Sequence, residues 1–499
     1  MTYTAATATD TKKPVTIEHA DYKAMTPKWQ RCRDVAAGRD KVMENGLLYV
    51  PMLHEQSPTA YQDYLKRATF YGATWRTIAA LAGMLFRKPE ITELPDSLDA
   101  MLTNVNLRGE PLHLFAQQTA LECLTIGRVG LLVDYPPVDS TKTGILTLAR
   151  AQSMGLRPSI QRYKAESIIN WRTGPVGNVD TLLLVVLTEE VETMGGTEFA
   201  ANCELRYRVL DLVGDPNDAE QMAYRVRLFR IDKKTDSQVQ IGPDQYPSLN
   251  GKPLRNIPFT FLSADAGLAA TVTEPPLIDL VDLNLAHYRV SADYEHGCHF
   301  TGLPTPYIAG YQTAGPQEKL YVGSTAAWVF PDPQTRVGYL EFSGAGLGML
   351  QANMERKEQQ MASLGARLLM SDGAERNITA TTAAIQHGGE ASILAAVAQA
   401  LSLGLSRALV TFAQWAGLTV TEANIKYEIN RDFFPVPMDP ATLAALVGAW
   451  QSGAISAEVL FANLQKGEVI DAKATFEDEQ AKIANAPPSS TTIAPQQVA

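Results

Sequence analysis

Apolar residues form three helical stripes in the second half of the chain. In residues 274–299, Leu277, Val281, Leu285, Tyr288 and Ala292 recur at helical spacing. Pro275 and Pro276 suit a first helical turn, which needs no amide donors. In residues 347–370, Leu347, Leu350, Met354, Met361, Leu364 and Leu368 approach a heptad seam that Lys357 interrupts. At ~1.5 Å per residue this helix spans roughly 36 Å. A third stripe, over residues 381–417, shows Ile393, Val397, Leu401, Leu405, Leu409 and Phe412 on one face, with Ala, Ser, Gln and Gly over most of the rest. It predicts a helix of about 55 Å. Arg407 is the only charge from Ala391 to Gly417. So much apolar and small-residue surface is more than one chain is expected to cover, and the pattern predicts a partner, another copy first.

The N-terminal half predicts a different architecture. A short helix is expected from Trp29 to Ala37, an extended segment over residues 46–51, and one long amphipathic helix over residues 57–89. That helix places Tyr61, Leu65, Ala68, Tyr71, Trp75, Ile78, Ala82 and Leu85 on a core stripe before Pro89 stops it. Helices follow over 97–103 and 110–126, then a buried-type strand over 127–136. Short strands separated by polar turns are expected over 168–171, 182–191, 204–212, 223–231 and 258–262. This is the composition of an α+β domain with an antiparallel or mixed sheet. Residues 1–25 read as a mobile Thr- and Ala-rich terminus. After the third helix a returning strand over 419–430 and two helices over 441–451 and 456–465 are expected, with Ser456 as an N-cap.

Composition narrows the classes. At 499 residues, 45% hydrophobic and 19% charged, the sequence fits a soluble multi-domain protein. A net charge of −11 argues against a protein that grips nucleic acid by its phosphates, because such binding needs clustered cations. The first ten residues carry no apolar core of a signal segment. The uncharged run 391–406 falls short of the ~20 residues a bilayer span needs, so no membrane is expected. Cys32, Cys123, Cys203 and Cys298 form no Cys-x-x-Cys pair and read as reduced thiols.

Candidate chemistry is sparse. Phosphate-loop, zinc-protease and nucleophile-elbow motifs are missing, so neither an enzyme nor a catalytic residue is expected. Gly344, Gly346 and Gly348 lie between a predicted strand (337–342) and a helix, as in a dinucleotide-binding turn. The spacing is one residue short, and no acid-terminated strand follows. His296 and His299, with Asp293 a turn earlier, could face a metal, although surface or subunit contacts are the commoner use. Asp279 and Asp282 suit a hydrophilic wall better than an acid-base pair. Arg206, Arg208, Arg225 and Arg227 alternate with apolar residues and predict a solvated or intersubunit face diluted by Glu204, Asp211 and Asp232. Residues 441–466 could form a helix-turn-helix, yet the second helix offers only Lys466, and residues 436–499 as a whole hold seven acids and three lysines.

Three stretches resemble the portal proteins of tailed bacteriophages, the head-tail connector rings through which DNA enters and leaves the capsid. The first is residues 278–293, Ile-Asp-Leu-Val-Asp-Leu-Asn-Leu-Ala-His-Tyr-Arg-Val-Ser-Ala-Asp, followed by Leu-Pro-Thr-Pro-Tyr-Ile-Ala-Gly at 303–310. The second is Gly-Ala-Arg-Leu-Leu at 365–369 followed by Thr-Ala-Thr-Thr-Ala at 379–383. The third is Tyr-Leu-Lys-Arg-Ala-Thr-Phe at 64–70 with Ala-Gly-Met-Leu-Phe-Arg-Lys-Pro at 82–89. The resemblance runs in order over residues 61–471.

It implies an α+β portal fold. Residues 1–273 would be the wing, 274–299 and 347–370 the two stem helices, and 300–346 the clip. Residues 371–381 would be the tunnel loop, 382–435 the long wing helix and returning strand, 436–485 the crown, and 486–499 a disordered tail. In the tunnel loop the resemblance puts Ser371, Asp372, Glu375, Arg376, Asn377, Thr379 and Thr381 nearest passing double-stranded DNA, which is not read by sequence. In the clip, Gln317, Glu318, Lys319 and Arg336 become candidate partner contacts. The implied partners are further copies in a ring, typically twelve, then terminase, head-completion or adaptor proteins, and capsid and scaffold proteins. No cofactor or metal is implied. The implied location is the portal vertex of the virion, after synthesis in the host bacterial cytoplasm. Residues 276–417 hold twelve acids and eight bases, a net −4 that would repel phosphate wherever it faces a channel. Two alternatives stand beside the ring: a nucleotide-binding enzyme using residues 344–348, and a DNA-binding regulator using residues 441–466.

Overall fold

His19 accepts the Asp21 amide on its ring nitrogen and so starts α1 (Ala20–Ala37). The computed structural model describes residues 12–136, 150, 153–194, 199–215, 217–249, 251–265, 267–303, 305–310, 330, 332–340, 344–365, 380–431, 433, 440–467, 469–471 and 474–485. Two expectations fail at this end. The helix predicted from Trp29 begins at Ala20, inside the segment read as mobile, because Tyr22, Trp29, Cys32 and Val35 form a buried stripe. The segment read as extended is a helical turn, Gly46–Tyr49, whose Tyr49 hydroxyl donates to Asp34 at 2.6 Å.

The single helix expected over 57–89 is two, α2 (Pro58–Arg67), capped by Ser57, and α3 (Ala73–Leu85). A short β1 (Ile91–Glu93) leads to α4 (Leu112–Ile126) and then β2 (Arg128–Asp134), buried at every position except the last. β3 (Ser159–Lys164) pairs with one edge of β2. An antiparallel meander follows in chain order: β4 (Ile168–Val176), β5 (Val179–Met194), β6 (Ala201–Val213), β7 (Ala223–Asp232) and β8 (Ser237–Gln240). β9 (Phe259–Ser263) closes the other edge of β2. Trp29, Tyr64, Leu65, Leu132, Trp171, Leu210, Phe259 and Tyr288 belong to one buried core, each large side chain stabilising by about 1.5–3 kcal/mol.

The four arginines are not a bare cationic face. Arg206 meets Glu204 (2.7 Å), Arg208 meets Glu189 (2.7 Å) and Asp134 (3.3 Å), and Arg225 and Arg227 share Asp211 (2.7 and 3.0 Å).

The rest of the first compact unit, residues 1–431, holds α5 (Ile278–Gly302), a hairpin of β10 (Thr305–Ala309) and β11 (Arg336–Leu340), α6 (Leu347–Ser363), α7 (Ala380–Trp415) and β12 (Lys426–Glu428), which pairs with β1. Over residues 394–413, α7 is covered by its own chain and does not need the partner that the sequence pattern predicted for it. Leu394, Val397, Leu401, Leu405, Leu409 and Phe412 are buried within the chain, as are Ala398, Ala400, Ala408 and Ala413. α7 packs on β9, β12, α4 and β2. Its small residues admit strands closely: Ser402 Oγ accepts the Ile429 amide and Ser406 Oγ the Tyr427 amide, both at 3.0 Å. Residues 393–415 are long and apolar enough to cross a membrane, yet most of that surface is core.

The second unit, residues 432–499, contains α8 (Pro440–Gln451), α9 (Ala457–Lys466) and α10 (Phe476–Asn485). Ser456 caps α9 through the Val459 amide at 3.2 Å, and Phe461 meets Phe476 edge-on at 5.6 Å. None of the three helices has a buried residue among those described.

Candidate functional site

α5 is built to be held along one side. Its buried stripe mixes apolar Leu280, Val281, Leu285, Tyr288 and Ala292 with polar Asn284, His287 and Ser291. Each polar group meets a specific partner. Asn284 Oδ1 accepts from the Thr74 hydroxyl (3.0 Å) and amide (3.3 Å), and its Nδ2 donates to the Tyr71 carbonyl (2.8 Å). Ser291 Oγ accepts the Thr69 amide at 2.9 Å, and the Tyr288 hydroxyl donates to the Leu65 carbonyl at 3.3 Å. Arg289 reaches the Tyr49 carbonyl at 2.6 Å. These residues were not singled out as polar anchors from the sequence. The available signal was their phase: positions 284, 287 and 291 fall beside the apolar stripe, where solvated polar residues have no place.

α6 runs antiparallel to α5. Leu347 lies against Gly297, His287 Nε2 meets Glu358 at 3.1 Å, and Met361 packs with Leu280. Only Met361 is buried among the described residues of α6, and Leu364 of the predicted seam is exposed. Its other positions include Gln351, Asn353, Glu355, Arg356, Lys357, Gln359 and Gln360, a largely hydrophilic surface. The helix predicted over 347–370 is described to Ser363, and the last five residues lie outside the described set.

At the joined end, apolar groups face outward. Leu303 is 63% exposed, Tyr339 57% and Met349 79%, with Phe300, Tyr307 and Val337 also exposed. The hairpin pairs Thr305 with Leu340 through Ala309 with Arg336. Arg336, the one candidate clip contact among the described residues, is exposed on it. Gln317, Glu318 and Lys319 lie outside the described residues, as do Ser371, Asp372, Glu375, Arg376, Asn377 and Thr379 of the expected tunnel loop. Thr381 falls in the first turn of α7.

The histidine cluster is otherwise engaged. Asp293 accepts the Tyr64 hydroxyl at 2.6 Å, and His296 sits edge-on to Tyr64 and Phe300 at 5.3 and 4.7 Å. Burial, then the nearby Arg67 and His299, lower the His296 pKa. His287, with its Nε2 on Glu358, ties α5 to α6. Residues 344–348 do not form a dinucleotide turn: β11 belongs to a two-stranded antiparallel hairpin, whereas that motif needs a parallel strand–helix–strand unit. In the would-be helix-turn-helix, the charged residues on α9 are Glu458 and Lys466.

Residues 276–416 match the family model of a domain of unknown function, DUF4055. No curated protein sequence matches the chain. Among solved structures, the chain is similar to a chain in the neck of an empty gene transfer agent (GTA) particle computed with C6 symmetry, at 11% identity and a TM-score of 0.36, covering 90% of this chain and 99% of that one. It is similar to a chain in the virion of a native gene transfer agent particle, at 10% identity and a TM-score of 0.38, covering 91% and 99%. A third similarity is to a chain in the neck of a native particle computed with C12 symmetry, at 12% identity and a TM-score of 0.34, covering 82% and 94%.

Proposed function

We propose that this chain is the portal subunit of a tailed bacteriophage. In this reading it forms a cyclic homo-oligomer, typically of twelve copies, at one vertex of the capsid. It is a conduit and not an enzyme: DNA passes during packaging and ejection while a separate terminase hydrolyses nucleotide. Terminase and then head-completion proteins dock on the clip.

The observation that carries the reading is the α5–hairpin–α6 unit. α5 is anchored to the α+β body by its polar stripe, while α6 lies on α5 with a hydrophilic surface and one buried side chain. A helix polar over most of its circumference either faces solvent or lines a wet passage. The exposed aromatic and aliphatic groups where the two helices join suit contact with neighbouring copies, because exposed apolar clusters mark interaction surfaces. Head-to-tail contacts of this kind close into a ring when the rotation between copies allows.

Mass photometry and negative-stain microscopy of the purified full chain test the reading. Rings with a central hole are expected, at about twelve times the 54.3 kDa subunit mass. A folded monomer or dimer persisting at tens of micromolar, with no annular particles, would overturn it.

A further inference from the structure

His19 clips the start of α1 to β4 and to itself through three contacts. Its amide donates to the Ile169 carbonyl at 2.9 Å, its ring stacks on Trp171 with centroids 4.1 Å apart, and its Nδ1 accepts the Asp21 amide at 3.2 Å. The third contact is the N-cap of α1, a place usually taken by Ser, Thr, Asp or Asn. Those residues keep an acceptor oxygen across the physiological pH range. An imidazole accepts on Nδ1 only while neutral, because the protonated ring carries N–H groups on both nitrogens. Protonation therefore turns the capping acceptor into a donor that faces another donor. The Asp21 carboxylate, 3.7 Å from Nδ1, can accept the new N–H, yet the Asp21 amide loses its acceptor either way.

The surroundings disfavour that proton. Asp21 is the acid on α1 itself, while Arg128 of β2 holds its guanidinium 4.4 Å from the centroid of the same Trp171 ring. Arg172 of β4, Asp180 of β5 and Arg407 of α7 line a cavity of about 710 Å³ together with His19 and Asp21. Burial lowers the His19 pKa, Asp21 works against this, and Arg128 adds to it. The folded ring thus takes a proton less readily than the unfolded chain does. The contribution of the cap to stability is intact above the usual histidine range and is lost as pH falls through that range to the folded value.

We propose that His19 is a pH-sensitive latch: in acid it takes a proton, releases the Asp21 amide and lets residues 18–21 leave β4, opening one wall of the cavity. The opening stops within the first turn. Beyond it the Tyr22 hydroxyl donates to the Glu166 carbonyl at 3.0 Å, and Trp29 is fully buried in the core.

Hydrogen exchange of the full chain at about pH 7.5 and about pH 5 tests this, each peptide being referred to its unstructured rate at the same pH. In the wild type, protection in peptides covering residues 17–23 is expected to fall about fivefold or more in acid, the cost of a lost cap, while peptides of α4 keep theirs. His19→Asn supplies a capping acceptor that does not titrate, and its protection should agree within about twofold between the two pH values. If that variant does not fold, His19→Asp serves, since its carboxylate still accepts at about pH 5. His19→Ala should be poorly protected at both. Wild-type protection that survives in acid, or an equal acid loss in the folded Asn or Asp variant, overturns the latch. Ring formation is read by a different measurement, so the portal reading and the latch stand or fall separately.

Discussion

Asn284 ties α5 to α3 of the α+β body, and replacing it should loosen α3 from its first turn. The residue at the start of α3 is Gly72, which has no side chain to cap the helix, and Asn284 supplies the missing acceptor from α5 by taking the Thr74 amide and hydroxyl. Its Nδ2 also satisfies the Tyr71 carbonyl just before the helix. Asn284→Leu keeps the branched shape, excludes water and leaves the Thr74 amide and hydroxyl without their acceptor, while the Tyr71 carbonyl keeps the Ala73 amide at 2.7 Å. Losing a capping acceptor costs about 1 kcal/mol, and a buried group left unpaired costs about 1–3 kcal/mol. Allowing for partial rearrangement, the local loss is about 2–4 kcal/mol, or roughly 30- to 1000-fold faster opening. Hydrogen exchange read by mass spectrometry on peptides covering residues 70–80 measures this directly. Asn284→Ala should show a smaller effect, since a water can occupy the space left and bridge the same groups. If the leucine variant folds and those peptides exchange within about threefold of wild type, the capping argument fails.

Gly130→Val is expected to abolish soluble expression: even a Cβ there would lie 2.2 Å from the Phe259 ring and 2.9 Å from Ile168 Cδ1, inside the buried core. Thiol labelling at pH 8 should modify exposed Cys203 in the native chain while buried Cys32 and Cys123 react only after denaturation. Burial pushes the Cys32 thiol up to about 12, leaving about one in ten thousand molecules as thiolate. The thiol keeps its proton longer folded than unfolded, so its contribution to stability is intact below pH 9 and is lost as pH rises from about 9 towards 12; a urea titration at pH 8 and pH 10.5 on the Cys32→Ala variant and wild type reads the difference. Met349→Glu combined with Tyr339→Glu should leave the circular dichroism spectrum unchanged and shift rings to free subunits in mass photometry, and rings that persist would place the subunit contacts elsewhere.

The main helices and strands were legible wherever one period ran unbroken. The strand predicted over 127–136 and those over 204–212 and 223–231 came from continuous apolar or alternating runs, and the structure extends each or trims it by a residue or two. β3 was missed because Ser-Ile-Gln-Arg-Tyr-Lys offers neither pattern. The break between α2 and α3 was missed for a more instructive reason. Tyr71 and Trp75 continue the helical spacing numerically, but Ala68 leaves the helix with ψ at 135°, and both side chains emerge exposed. What makes the break tolerable is tertiary: Ser291 takes the Thr69 amide and Asn284 donates to the Tyr71 carbonyl. The backbone groups that a helix would have satisfied are satisfied by α5, more than two hundred positions away, and periodicity within one window carries no trace of that. Arg128 shows the same limit. Its position at the head of an apolar strand was visible, and the aromatic rings that enclose it were not, since Trp171 and Phe261 come from other strands.

α7 changes which surface can support an assembly. The sequence argument rested on small and apolar residues left over on the longest helix, on the premise that a surface rich in Ala and Ser needs a second copy to cover it. In the folded chain those residues are what allow a helix and strands to meet at close range. Ser402 and Ser406 complete the backbone of the residues flanking and within β12, and at Gly404 a Cβ would stand 2.0 Å from Leu262 of β9. The side chains along residues 394–413 are therefore mostly spent inside one subunit and cannot also be an interface. The case for a ring passes to α6, a long helix with one buried side chain and most of its described positions exposed, and to the apolar groups at the end it shares with α5 and the hairpin. The two locations predict different failures. A charge introduced at Leu401, inside the core, should remove folded protein altogether, whereas a charge at Met349 should leave folded subunits that do not close. If instead charges at both positions gave folded subunits without rings, α7 would be an interface after all, and its burial within one chain would not be the arrangement the assembled protein uses.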